Sequence, residues 1–441
     1  MELVLISVGI VLAFMFLGMP IALCFLSGSL FYMIVGGESM GSVAPEAFFA
    51  LDKYALLAIP LFMIAGTLME VSGIAEKLID FANALLKKVK GGMGAIIPVS
   101  SMFFGALSGS GTATVAALST ILVPKLERLG WDKRYTAALL GASGPLGYMI
   151  PPNMNAILFG VIANASVAAL FLATVIPGII WGVLYIIINR LTYKKWYKPN
   201  KQIIAEDVAP TTNVTYFQGV SSTFVAAIPA FIMPAIIFGG IYGGVFTPTE
   251  AGAVACAYAL IAGVFIFKGI KRGNFLSAFT HTGGTLGSIM IILPMVVIFT
   301  NILVINGVPQ MIAEGLNSVS SNKYVVLLLI DILLVVAGFF LDAGVLIFVV
   351  APLLIPTAEA LGINIIQLGV IIFVAIGVGT VTPPMAMNLF ITSKVSGVSL
   401  KDMMKPLLPF LVFAAIPVLL LVTFVPELSL WLPRVIMDIK L

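Results

Sequence analysis

Six stretches of this chain, 54–74, 166–193, 219–243, 249–268, 280–305 and 405–432, are predominantly apolar over about 20 residues or more, the length an α-helix needs to cross roughly 30 Å of hydrocarbon. A chain with so many such runs folds into a bilayer. Of its 441 residues, 61% are apolar and 10% are charged, against about 25% charged in a soluble domain. That excludes a soluble globular enzyme. The net charge of +4 is too small to indicate a nucleic-acid partner. Cys24 and Cys256 stand alone inside apolar stretches, without disulfide or metal spacing, and one histidine, His281, cannot build a histidine metal site. His281 reads as a solvated interfacial residue. Met1-Glu2 offers no basic region ahead of the first apolar run, so that run reads as a retained membrane segment.

Not every apolar stretch is continuous. The opening run, 3–36, is too long for one straight crossing and contains Gly18-Met19-Pro20, so it is kinked, strongly tilted, or two short pieces. Pro145 and Pro151-Pro152 interrupt 133–163, and Gly377, Gly379 and Pro383-Pro384 interrupt 364–396. Both read as discontinuous helices. Two further segments, 92–129 and 323–357, carry polar or Gly-rich centres, Leu107-Ser108-Gly109-Ser110-Gly111-Thr112 and Phe340-Leu341-Asp342-Ala343-Gly344. These read as re-entrant helical hairpins, whose non-helical tips are tolerated at membrane depth only against protein or a water-filled cavity. Ahead of each hairpin lies a helix of mixed faces, about 75–88 and 308–319, suited to lie in the interface.

The chain also matches itself. At a spacing of 232 residues Pro124 pairs with Pro356, Gly130 with Gly362, Gly147 with Gly379, Pro151-Pro152 with Pro383-Pro384 and Pro177 with Pro409; at 234, Gly73 pairs with Gly307. Charge then gives the orientation of the two copies, because cytoplasmic loops collect Lys and Arg. Lys125, Arg128, Lys133 and Arg134 follow the first hairpin, whereas Thr357, Ala360, Ile365 and Ile366 occupy the equivalent positions. Lys394, Lys401 and Lys405 follow the second broken helix, where the first copy has Ile162, Ala169 and Ala173. The first hairpin therefore opens to the cytoplasm and the second to the outside. Lys194, Lys195, Lys198 and Lys201 place the central loop in the cytoplasm, as do Lys268, Lys271 and Arg272. Inverted repeats with paired broken helices are the sequence pointer to a secondary transporter with its site near the midplane.

Helices broken inside a membrane leave amide donors at one half-helix end and carbonyl acceptors at the other. Hard cations such as Na⁺ take oxygen ligands, which Gly338, Gly379, Thr380 and Thr382 can supply in the second repeat and Ser108, Ser110, Gly144 and Gly147 in the first. An anionic substrate would sit between the two sets. Neither hairpin tip and neither break holds Arg or Lys, so half-helix N-termini, hydroxyls, amides and co-bound cations must balance its charge. Asn153, Asn155 and Asn388, beside the Pro-Pro pairs, are the leading polar contacts for substrate, together with Ser110 and Thr112 at the first tip. Asp342 reads as a ligand for substrate hydroxyls or a proton, with an internal helix cap as its structural alternative. For the small residues of 105–111, close helix packing stands beside ligation as an explanation. Asp331, inside a leucine-rich run, faces an internal interface. No nucleophile elbow and no GxxxxGK[ST] phosphate loop occurs, and no ring of like charges suggests a channel filter.

Ser108-Gly109-Ser110, Ile150-Pro151-Pro152, Pro177-Gly178, Phe246-Thr247-Pro248-Thr249-Glu250-Ala251 and Thr382-Pro383-Pro384 follow in order along the chain. In that order they resemble the large membrane subunit of tripartite ATP-independent periplasmic (TRAP) transporters, the DctM-like family. The resemblance implies an all-α polytopic membrane protein with two inverted-topology repeats and an elevator-type architecture. It implies a Na⁺-driven importer of organic acid anions in a bacterial or archaeal inner membrane, with at least two Na⁺ sites and no organic cofactor. Its partners would be a small four-helix membrane subunit and a periplasmic substrate-binding protein. By matching motif positions, the sodium sites would fall on Ser108 and Ser110 with the Gly144 to Ile150 break, and on Gly338, Gly379, Thr382 and Met385.

On this reading 1–74 forms N-terminal scaffold helices, 75–90 an interfacial arm, 91–163 the first transport repeat and 164–193 a connecting helix. A cytoplasmic loop occupies 194–218, central scaffold helices 219–305, a second arm 306–321, the second transport repeat 322–396 and a C-terminal membrane helix 397–441. The chain departs from the usual pattern at Asn153, at Met385-Ala386 and at Ala343-Gly344-Val345, all at the proposed cavity. A C4-dicarboxylate and an acidic sugar such as sialic acid both stay open as substrate. A binding-protein-independent Na⁺/dicarboxylate symporter, which shares the two-hairpin logic, is the alternative.

Overall fold

The computed structural model describes residues 1–89, 91–198, 216–320, 322–339, 341, 343–383 and 386–439. The described residues form helices and no β-strand. Seven helices among them are long and apolar enough to cross a membrane. In chain order the elements are α1 (Glu2–Phe16), α2 (Ile21–Gly36), α3 (Val43–Leu51), α4 (Tyr54–Val71), α5 (Ile74–Leu86), α6 (Gly92–Ser108) and α7 (Gly111–Arg128). The first broken helix comprises α8 (Lys133–Ser143), α9 (Leu146–Met149) and α10 (Met154–Ala163). Then come α11 (Val167–Trp196), α12 (Tyr216–Tyr242), α13 (Pro248–Ile266), α14 (Arg272–Ile305) and α15 (Val308–Val319). The last six are α16 (Lys323–Gly338), α17 (Ala343–Ala360), α18 (Ile365–Thr380), α19 (Met387–Ser396), α20 (Leu400–Phe424) and α21 (Glu427–Met437).

The repeat is visible in where helices start. The helix pairs α7 and α17, and α8 and α18, begin at positions 232 apart. Their start signals correspond too: Asp132 caps α8 by accepting the Arg134 N–H at 2.9 Å, and Asn364 caps α18 by accepting that of Ile366 at 2.8 Å. Further on, Ser166 and Ser399 cap α11 and α20. Each arm is entered through a glycine in the left-handed region, Gly73 at φ +81° and Gly307 at φ +75°. Each arm then packs on its own hairpin, α5 on α6 and α15 on α17, and α5 buries one face of an amphipathic helix in doing so. The half-helix after each break crosses to the other repeat: α10 packs on α17, and α19 packs on α7. That exchange locks the two repeats into one body.

One segment resolves an open reading and another differs from expectation. The opening run is two helices, with Gly18 at φ +77° and Pro20 at the entry to α2 turning the chain between them. The helices are antiparallel, since Gly28 faces Val11 and Ser7 while Gly36 faces Leu3. At the other end, 405–432 is not one helix. Val425, forced away from the helical region by Pro426, leaves α20 at φ −120°, and α21 starts afresh. The Phe246 to Ala251 motif proves to be a start signal: Thr247 Oγ1 accepts the Glu250 N–H, Glu250 accepts the Thr247 N–H at 2.8 Å, and Pro248 fills the first helical position. Of the central loop 194–218, residues 199–215 lie outside those described.

Candidate functional site

The first site is built where the α6–α7 hairpin tip meets the α9–α10 break. Two consecutive prolines cannot donate backbone hydrogen bonds, and the residue before a proline is driven out of the helical region. Ile150 accordingly sits at φ −96°, ψ 118°, separating α9 from α10. The tip turns through Gly109 at φ +60°, and a Cβ there would lie 2.7 Å from the Pro152 carbonyl oxygen. Only glycine satisfies both the backbone conformation and the close approach. Behind the tip, a Cβ on Gly105 would lie 2.5 Å from Gly147 Cα, so hairpin and broken helix touch backbone to backbone. The result is a cluster of hard oxygens. Ser108 Oγ lies 3.1 Å from Thr114 Oγ1 and 3.3 Å from the Ser110 carbonyl oxygen, and Thr114 Oγ1 donates to that carbonyl at 2.7 Å. The Gly144 carbonyl faces Gly111, and Gly147 faces Ser110 O and Thr114 Oγ1. Thr114 was not singled out from the sequence, because a threonine one turn inside an apolar helix carries no distinguishing signal.

The second site repeats this geometry. A Cβ on Gly379 would lie 2.8 Å from the Cα and carbonyl carbon of Gly338, bringing α16 against the end of α18 as α6 is brought against α9. Thr380 donates its hydroxyl to Gly377 O at 3.1 Å, and Thr382 donates to Val378 O at 2.6 Å. Their remaining lone pairs stand at the end of α18, where unpaired helix carbonyls concentrate negative partial charge. Asp342 and Met385 lie outside the described residues.

Both tips line one cavity of about 920 Å³. One wall carries Ser108, Ser110, Thr112, Asn155, Thr380 and Asn388 with Ala343 and Gly344; the facing wall comes from α4 and α14. That facing wall is rich in hydroxyls, with Thr67, Thr280, Thr282, Thr285 and Ser288, and Thr282 Oγ1 donates to Thr67 Oγ1 at 3.0 Å across the two helices. Hydroxyls spread over two helices more than 200 residues apart in sequence leave no local pattern, and the sequence reading missed them. Among the described lining residues Glu70 is the one charged side chain, and no Lys or Arg is present.

The sequence-derived set separates on this geometry. Ser108, Ser110, Gly144 and Gly147 are brought together, as are Gly338, Gly379, Thr380 and Thr382 around the second break. Thr112 Oγ1 lies 3.2 Å from Ser110 Oγ at the tip. Asn155 and Asn388 reach the cavity, and both occupy the second position of their half-helices. Asn153 does not belong with them. Its Oδ1 accepts the Ala156 N–H at 2.7 Å as the cap of α10, and the residue is absent from the cavity wall. Ile150 has its side chain packed against Gly178, which leaves only its backbone for a ligand. Asp331 gains a structural account: at 2% exposed, it accepts the Thr423 hydroxyl at 2.9 Å and ties α16 to the end of α20, while Gln367 donates to Val422 O and Thr423 O beside it.

A polytopic all-helical protein with two hairpins and two broken helices around one cavity has the architecture of a membrane transporter. The fold resembles that of the transporter MtrF from Neisseria gonorrhoeae, with a TM-score of 0.61 at 14% identity over 87% of this chain and 83% of that one. The YdaH transporter from Alcanivorax borkumensis aligns with a TM-score of 0.58 at 13% identity over 89% of both chains. The family model described as the DctM component of tripartite ATP-independent periplasmic transporters matches residues 8–428, and the chain belongs to that family. A C4-dicarboxylate TRAP transporter large permease protein of Vibrio cholerae is 34% identical over 97% of both chains. The sialic acid TRAP transporter large permease protein of the same organism is 30% identical over 96% of both. The isethionate TRAP transporter permease protein DctMQ of Oleidesulfovibrio alaskensis is 34% identical over 95% of this chain, which spans 64% of that longer protein. The chain is thus a multi-pass membrane permease of the TRAP family.

Proposed function

We propose that this chain is the transport subunit of a Na⁺-driven importer of organic acid anions in the inner membrane of a bacterium or archaeon. A small four-helix membrane subunit and a periplasmic substrate-binding protein complete the system. The observation that carries the reading is the cavity: two hairpin tips, two half-helix N-termini and two oxygen clusters converge on a space whose described wall has no cationic side chain. An anion entering it meets the N-terminal ends of α10 and α19 and the amide of Asn155. Its charge is further balanced by Na⁺ held at Ser108, Ser110, Thr114, Gly144 and Gly147 on one side and at Gly338, Gly379, Thr380 and Thr382 on the other. Without the cations an anion in this low-dielectric site would be poorly compensated, which makes coupling a consequence of the site's composition. The relatives carrying isethionate, C4-dicarboxylate and sialic acid in their names are all permeases for acids ionised at neutral pH. That supports an organic acid as substrate class.

Transport proceeds as an elevator. The hairpins and broken helices, locked together by the exchange of α10 and α19, move as one body past α4 and α14, whose hydroxyl-lined faces form the static wall. The test is uptake of labelled organic acids into proteoliposomes that hold this chain with its small subunit, with binding protein added outside. Uptake should follow an inward Na⁺ gradient and stop when choline replaces Na⁺. Na⁺-independent uptake would overturn the coupling, and uptake by the chain alone would return it to the binding-protein-independent symporters.

A further inference from the structure

We infer that Asn388 joins the two breaks into one cooperative cation-binding unit, a regulation of the site that rests on reading both breaks as cation sites. Asn388 opens α19 in the second repeat and is 1% exposed. Its Nδ2 lies 3.3 Å from Thr380 Oγ1, at the end of the helix that forms the second break. The same amide lies against the first repeat: a Cβ on Gly144 would stand 2.5 Å from Asn388 Nδ2 and 2.7 Å from its Cγ. One side chain therefore bonds a hydroxyl of the second break and packs on the Gly144 backbone of the first.

Donor and acceptor accounting fixes which way the amide points. The Thr380 hydroxyl has one hydrogen, given to Gly377 O at 3.1 Å. What approaches Thr380 Oγ1 from Asn388 must therefore be the NH₂ group, which leaves Asn388 Oδ1, buried and without a partner, as a free acceptor oxygen. Thr380 Oγ1 has two lone pairs. One takes the Asn388 N–H, and the other is left for a cation at the second break. A cation there fixes the Thr380 rotor and, through the hydrogen bond, the Asn388 amide against Gly144. Binding at the first break then starts from a junction already ordered, so the second ion loses less conformational entropy than the first. Positive coupling follows, and by linkage it acts equally in both directions. Tyr148 bridges the opposite way, its ring against Gly111 at the first tip and its hydroxyl oxygen 2.8 Å from where a Cβ on Gly377 would stand.

The test is a calorimetric titration of the purified full chain with NaCl at ionic strength held constant with choline chloride. Wild-type protein should bind two Na⁺ with a Hill coefficient well above 1 and at most about 2, the ceiling for two coupled sites, and a coefficient of about 1 would overturn the coupling. Asn388→Leu, which keeps the branched shape and removes both polar atoms, should still bind two Na⁺ but with a coefficient of about 1. A purely structural role would lower thermal stability and leave the coefficient unchanged, so a wild-type coefficient in Asn388→Leu overturns the coupling, as does a fall in the number of bound Na⁺, which would mark a lost site. Wild-type protein that binds no Na⁺ would overturn the cation sites themselves, and the two failures are distinct.

Discussion

Gly379→Ala tests the close approach on which the second site depends. The added methyl carbon would meet Gly338 Cα and C at 2.8 Å and Val335 O at 2.9 Å, all backbone atoms. Ordinary contact begins at 3.4 Å, so α16 and α18 must separate by about 0.6 Å locally. Overpacking of that kind costs about 1–3 kcal/mol, and replacing a helical glycine by alanine returns about 0.5–1 kcal/mol. The net loss is about 0–2.5 kcal/mol in stability. The same movement withdraws the Gly338 carbonyl from the end of α18, so Na⁺ affinity should fall together with stability. Both are read from unfolding midpoints measured with and without NaCl. Gly9→Ala is the control, because a Cβ there meets nothing within 4 Å; it should be neutral or stabilising, by up to about 1 kcal/mol. A Gly379→Ala protein as stable as wild type and equally responsive to Na⁺ would refute the reasoning.

Three further outcomes are expected. Thr382→Ala removes one hydroxyl oxygen from the second break and should raise the Na⁺ concentration for half-maximal uptake by roughly tenfold, the scale of one lost polar contact; unchanged Na⁺ activation would remove Thr382 from the site. Single cysteines from Ser110→Cys and Gly344→Cys should be labelled from opposite sides of the membrane as the elevator moves, and access from one side only would contradict the inverted arrangement. Outside the spans, the hydrogen bond from the Arg134 guanidinium holds the Asp132 carboxyl below its ordinary value. A carboxyl depressed in the folded state contributes stability above its unfolded value of about 3.9 and loses it as pH falls through the folded value. Wild type should therefore exceed Asp132→Asn, which keeps the cap, by about 0.2–1 kcal/mol at pH 7, with no gap at strongly acid pH; a gap independent of pH would contradict the assignment.

Much of this architecture was legible before folding because its signals are local. Pro151-Pro152 breaks a helix wherever it stands, Gly73 and Gly307 mark the entry to each arm, and the 232-residue spacing survives in the starts of α7 and α17. Basic residues at non-equivalent positions of the two copies carry the expectation of an inverted orientation. Asn153 shows where local signals were misread. An asparagine after Pro-Pro and before an apolar run is a helix-start signal, and it caps α10, whereas Asn155, two residues on, faces the cavity. What stayed hidden depends on distant contacts. Thr114 joins Ser108 only once the hairpin closes, Asp331 finds Thr423 across 92 residues, and the hydroxyl wall needs α4 and α14 side by side. For 3–36 the Gly18-Met19-Pro20 signal was visible but left a kink, a tilt and two pieces open, and the packing of α1 back on α2 decides among them.

The central claim is that this site binds Na⁺. The most direct measurement is the unfolding midpoint of the purified chain in NaCl against choline chloride at equal ionic strength. A ligand that binds only the folded state stabilises it by RT ln(1 + [L]/Kd), so Na⁺ at ten times its Kd contributes about 1.4 kcal/mol per site. The account predicts a Na⁺-specific rise in the midpoint that Gly379→Ala diminishes; identical midpoints in the two salts would contradict it.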